Sequence, residues 1–215
     1  MRRRPLLAVF VLALLALTTA GCQTGKRPSF ADDPFPKGAP TGDAAIDAVL
    51  AKLDGVGDEP FTATYDIITK FGNVSRTASV SSTAGRRSVT LGNVRFLSST
   101  VSTTTCIFEA TPQCTAGLEI ARVSDTLLTP DFYALDAAKR LRRDALSIVG
   151  PTVSRSEVIG NQPATCVDLV VSGGTIIYCV LDSGLLAKID DADVAVTLTS
   201  WVPAVTDGMF STAAL

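Results

Sequence analysis

The sequence predicts an α+β fold, a long antiparallel β-sheet packed against a few helices. Three observations carry this. From Phe61 onward, apolar and polar residues alternate in a succession of short segments, the period of a strand with one buried face. Most of these segments end on Gly or Asn, at Gly72-Asn73, Gly85, Gly92-Asn93, Gly160-Asn161 and Ser172-Gly173-Gly174, as the turns of an antiparallel meander require. Only two stretches, one near residue 45 and one after residue 130, carry the 3.6-residue spacing of an amphipathic helix.

The chain begins with Arg2, Arg3 and Arg4 and an apolar run from Leu6 to Leu17. As a helix that run is ~18 Å long against a hydrocarbon core of ~30 Å, so it suits the apolar region of a signal peptide and not a membrane span. Leu17-Thr18-Thr19-Ala20-Gly21-Cys22 follows and resembles a bacterial lipobox, with Thr19 a mild departure. The resemblance implies cleavage between Gly21 and Cys22 and a diacylglycerol on the Cys22 sulfur. It places the mature protein in the bacterial cell envelope, anchored to the outer face of the plasma membrane, or to the outer membrane where the host has one. Residues 22–42 hold Pro28, Pro34, Pro36 and Pro40 and read as an extended tether.

Removal of residues 1–21 leaves about 194 residues, enough for one substantial core. It also leaves 16 basic and 21 acidic residues, a charge near −5, which excludes the basic footprint of a nucleic-acid binder. Histidine is absent. That removes Ser-His-Asp, Cys-His and HExxH chemistry, and no carboxylate pair or Ser-Lys motif takes their place. The chain is read as a non-enzyme with no cofactor.

Asp43 to Leu53 predicts a helix with Ile46, Val49, Leu50 and Leu53 on one face, Thr41 or Asp43 at its start and a left-handed Gly55 at its end. Phe61, Ala63, Tyr65 and Ile67 form the buried face of the first strand. Val74–Thr83, Arg87–Leu91 and Val94–Val101 continue the meander, and the Ser/Thr-rich tract from Ser98 to Thr105 also reads as strand. Thr129-Pro130-Asp131 looks like a helix start, with Phe132, Leu135, Ala138, Leu141 and Ala145 on one face. The other face holds Lys139, Arg140, Arg142 and Arg143, read as a solvated face or as a contact for anionic head groups.

With Cys22 lipidated, Cys106, Cys114, Cys166 and Cys179 remain, an even number in an exported chain. Their spacings lack the C-x-x-C pairs of zinc sites, so two disulfides are expected. Cys106 and Cys114 bracket a short loop bent at Pro112. Cys166 opposite Cys179 sets a register that closes at the Gly-rich turn and places Asp168 opposite Ile177 and Val170 opposite Thr175. Val167, Leu169, Val171, Ile176, Tyr178 and Val180 then share the core face. Asp190, Asp191 and Asp193 read as an acidic hairpin turn in preference to a calcium site, so no metal is expected.

The segment Val158-Ile159-Gly160-Asn161-Gln162-Pro163-Ala164-Thr165-Cys166 with its following Gly-turn hairpin resembles a strand–turn–strand of the LolA-like and LppX/LprG-type lipoprotein carriers. The resemblance implies a curved antiparallel half-barrel over residues 43–202, with helices packed on its concave side, an apolar cavity between them and a tail at 203–215. It implies acyl-chain binding. The lining candidates are Phe61, Tyr65, Ile67, Val94, Phe96, Leu169, Ile176, Tyr178, Val196 and Leu198. Two functions from different classes follow: a membrane-anchored carrier of lipid or another hydrophobic ligand, or a non-catalytic surface module that docks on a membrane-protein partner, for which Trp201 is an anchor candidate.

Overall fold

Eleven strands pair in the order β6-β5-β4-β3-β2-β1-β11-β10-β9-β8-β7, every neighbour antiparallel. They are β1 (Phe61–Thr69), β2 (Val74–Thr83), β3 (Arg86–Leu91), β4 (Val94–Ser99), β5 (Thr103–Ile107), β6 (Gln113–Ala116), β7 (Val153–Ile159), β8 (Gln162–Val171), β9 (Gly174–Leu181), β10 (Leu186–Asp190) and β11 (Val194–Val202). The structure is a computed structural model that describes residues 33–126 and 128–213. The export segment and Cys22 lie outside the described residues. Residues from Phe35 onward form one compact unit.

The sheet is open and curved, a half-barrel made of two meanders that meet where β1 pairs with β11. Because β6 and β7 are opposite edges, the chain between them must cross the sheet, a span of at most about 48 Å measured along ten strand spacings of about 4.8 Å. The crossing carries α2 (Ile120–Thr126) and α3 (Leu135–Ala145). With α1 (Ala44–Leu53), they cover the concave side. Among the described residues no helix is long and apolar enough to cross a membrane.

α1 forms as its spacing predicts. Ile46, Val49, Leu50 and Leu53 are buried, and the Asp43 carboxylate accepts from the N–H groups of Ala45 at 2.9 Å and Ile46 at 3.1 Å. Gly55 is not the left-handed terminator. Asp54 ends the helix in right-handed conformation, its N–H returning to Leu50. The glycine that matters here is Gly184, at φ +85, where a Cβ would stand 2.5 Å from the Lys52 carbonyl oxygen. It lets the β9–β10 turn lie against the end of α1.

Two other expectations are corrected. The Ser98–Thr105 tract is strand at both ends, closing β4 and opening β5, but it bends at residues 100–102, where the Ser99 hydroxyl accepts from the N–H groups of Val101 and Ser102 and closes a turn that no Gly or Pro marks. The helix expected from Pro130 starts at Leu135. Phe132 and Tyr133 lie in the turns before it, buried, while Leu135 is exposed.

Both disulfides are present, Cys106–Cys114 across β5–β6 and Cys166–Cys179 across β8–β9. The second sits in the expected register, with Asp168 opposite Ile177 and Val170 opposite Thr175. It lies on the face away from the helices, under a lattice of Arg155, Glu157 and Asp168. The chain after β11 runs back across that outer face. The Thr62 hydroxyl donates to Ala204 O at 2.7 Å, Arg86 stacks 4.5 Å over the Phe210 ring, and the buried Arg95 donates to Ser211 O and Ala213 O.

Candidate functional site

The concave side is where a ligand cavity was expected. β1 presents Phe61, Ala63, Tyr65 and Ile67 there, and the register brings Leu198 opposite Tyr65 and Val196 opposite Ile67. Val94 and Phe96 extend the same face on β4, and Leu169, Ile176 and Tyr178 extend it on β8 and β9. All ten lining candidates therefore share one face. Nine are exposed by 6% or less and belong to the core cluster, and Ile176 is partly buried against it.

What fills the concavity is the crossing connection. Phe132 meets Tyr65 edge-on with ring centroids 5.1 Å apart, and Tyr133 meets Phe61 at 5.9 Å. Ala137, Ala138 and Leu141 of α3 and the four buried residues of α1 complete the packing. Tyr65, Leu198 and their neighbours thus form a packed core, and burial pushes the Tyr65 hydroxyl far up from the usual tyrosine range. That hydroxyl and the Trp201 Nε1 are buried with no hydrogen-bond partner among the described residues. Tyr178 differs, since its hydroxyl donates to Asp144 at 2.6 Å. Burial first, and the Asp144 carboxylate second, raise its pKa.

Two members of the basic cluster of α3, Arg140 and Arg142, are turned inward, while Arg143 is exposed. Arg142 is 4% exposed, pairs with Asp54 of α1 and donates to Ala39 O at 2.9 Å. Arg140 pairs with Asp191 in the β10–β11 turn. Asp191 also accepts from the N–H groups of Asp193 at 2.8 Å and Val194 at 2.9 Å, which makes the acidic triplet a turn device. Neither a solvated face nor a head-group contact describes Arg142. Residue spacing could not separate a charge facing water from one facing a buried carboxylate on a distant helix.

Described clefts lie at the rim of this core. One of about 380 Å³ is lined by Val56–Asp58, Ser82–Arg87, Ser98–Thr100, Asp131 and Tyr133–Leu135. A second, about 200 Å³, lies between Val89 and Phe96 of the sheet and Leu118 and Pro130 of the crossing chain. Arg87 and Asp131 line both and pair with each other, and Arg87 also reaches the Tyr133 hydroxyl. A third, about 310 Å³, holds Lys70, Arg140, Arg143, Asp144, Asp191 and Asp193. Of the ten lining candidates, Phe96 and Ile176 touch these three clefts. Arg87, Asp131 and Tyr133 were not legible as site residues, because their meeting joins β3 to a loop 44 residues away.

No protein-family model matches the chain, and no curated protein is similar to it in sequence. Solved structures are similar in fold. A crystal structure of MucB aligns with TM-score 0.54 at 13% identity, over 80% of this chain and 64% of MucB, so the chain spans less than two thirds of that protein. The MucA/MucB complex of Pseudomonas aeruginosa gives 0.46 at 12% identity, over 78% of this chain and 60% of that one. A LolA superfamily protein from Nitrosomonas europaea gives 0.37 at 13%, over 76% and 96%. The chain has the LolA-like fold that MucB carries.

Proposed function

We propose that this chain is a lipid-anchored, non-catalytic module of the bacterial envelope that docks on a protein partner at the membrane. One observation carries the choice of docking over carriage. The apolar residues expected to line an acyl cavity are packed against Phe132, Tyr133, α1 and α3, so in this conformation their area is already buried by the chain itself. The described clefts are open and carry charged side chains at their walls, unlike the mostly apolar interior of a lipid site. The anchor rests on the lipobox resemblance at Cys22, and the non-catalytic role on the absence of histidine. The complex of MucA with MucB is a property of those proteins and does not supply the partner.

A second reading has its own observation, the 200 Å³ cleft between Val89, Phe96, Leu118 and Pro130. It lies on the concave face and is smaller than the ~300–1,000 Å³ of most ligand sites, so carriage of a whole lipid requires the crossing chain to move away. Photo-cross-linking on intact cells, paired with organic extraction and mass spectrometry of the purified protein, separates the two. Docking is expected to give one defined protein adduct and no stoichiometric lipid. Stoichiometric lipid without an adduct overturns it in favour of carriage.

A further inference from the structure

The two edges of the sheet are not equivalent. β6 is four residues long, stapled by Cys106–Cys114 and crossed by the C-terminal segment, with Cys114 Sγ 3.7 Å from Thr212 O. β7 is seven residues long, has no proline, and runs along β8 from Val153 to Ile159 without a bulge. Among the described residues no strand pairs its outer side. Of the devices that usually blunt an edge it carries charge, at Arg155 and Glu157, and these pair with each other and, through Arg155, with Asp168.

The register shows which groups are free. Cys166 and Cys179 face each other with Cα atoms 4.0 Å apart, the narrow spacing of an antiparallel pair without mutual backbone bonds. The N–H and C=O of Cys166 accordingly turn to β7, where its partner is Arg155. Alternation then leaves the N–H and C=O of Ser154, Ser156 and Val158 directed to the open edge. These three residues are exposed, whereas Arg155 and Glu157 between them are half-buried. Val153 and Val158 add apolar surface, exposed by 51% and 72%.

The side-chain order around Ser156 is self-complementary. If a second β7 lies antiparallel to the first about a two-fold axis at Ser156, Ser154 exchanges backbone bonds with Val158 of the other copy, and Ser156 with Ser156. Arg155 then stands opposite Glu157, twice, in the narrow non-bonded positions where cross-strand side chains approach most closely. Moving the axis to Arg155 or Glu157 sets like charges opposite each other. We propose that two copies of this chain join edge to edge through β7, with the axis at Ser156, so that their sheets become continuous. The interface is isologous and closed. It leaves the clefts and the opposite edge of each copy free, and it goes beyond the docking role.

Sedimentation equilibrium of the full chain in density-matched detergent reads this directly, and a mass of two chains is expected. Ser156→Pro removes an N–H that β8 does not use, so it should give single chains that keep the wild-type circular dichroism spectrum. Glu157→Arg sets Arg against Arg at both positions and should weaken the dimer by about tenfold, and the exchange Arg155→Glu with Glu157→Arg should restore it. A single-chain mass for the wild type at every concentration overturns the proposal, including the case where β7 captures a strand from a different protein. So does a dimer that survives Ser156→Pro.

Discussion

Arg142→Met tests whether the two helices over the concave side are locked by a buried ion pair. In the structure the Arg142 side chain is 3% exposed and its Asp54 partner 11%. The substitution keeps the apolar stem but leaves the Asp54 carboxylate with Gly38 N–H at 2.9 Å, and it removes the donor on Ala39 O. Taking one partner from a buried pair costs about 3–5 kcal/mol, most of it the desolvation of the abandoned charge. For a chain of this size each kcal/mol moves the melting temperature by roughly 2–4 °C, so the lower bound is a fall of about 6 °C. Arg143→Met is the control. Its side chain is 58% exposed and pairs with its neighbour Asp144, and a change below ~0.5 kcal/mol is expected. The double variant Asp54→Asn with Arg142→Met should recover much of the loss, because no charge is left stranded. Thermal and urea unfolding followed by circular dichroism measure all three. If Arg142→Met melts with Arg143→Met, the pair is not what holds α3 to α1.

Tyr65→Phe removes a buried hydroxyl that has no partner among the described residues and should raise stability by about 1–3 kcal/mol; a fall would reveal a hidden acceptor. Replacing Cys166 and Cys179 by alanine opens a loop of about 14 residues and should cost ~3 kcal/mol in the chain-entropy model, read as a lower urea midpoint; an unchanged midpoint would refute that stabilisation. Acid should unfold the protein partly through the turn into α1. The Thr152 hydroxyl, with the Ala45 and Ile46 amides, holds Asp43 below its usual 3.8, the Thr41 amide holds Asp47 below 3.8, and Arg155 holds Glu157 below 4.5. With folded values depressed, their contribution is complete above those ordinary values and is lost as pH falls through the lower folded ones. Asp43→Asn keeps the cap and should flatten the decline of melting temperature below about pH 4; an equally steep decline removes Asp43 from the account.

Local rules made much of the sheet readable. Alternation at Phe61–Ile67 marked the buried face of β1, and glycine turns together with the Cys166–Cys179 pairing gave the β8–β9 register to the residue. These signals lie within a few residues of each other, where dihedral preference and side-chain period decide the outcome. The Ser99 turn escaped because a hydroxyl replaced the usual glycine. The face shared by all ten lining candidates was also legible, since period two assigns faces without reference to other elements.

Whether that face enclosed space or a core was not legible. It depended on β6 and β7 being opposite edges, which forces the crossing chain over the concavity and seats Phe132 and Tyr133 against Tyr65 and Phe61. The inward turn of Arg142 toward Asp54, 88 residues away, has the same origin. The sequence alone determined the strand period and the glycine-marked turns, because each is set by neighbours along the chain. Only the tertiary structure decided what covers the sheet, because that is a competition for buried area among segments far apart in sequence.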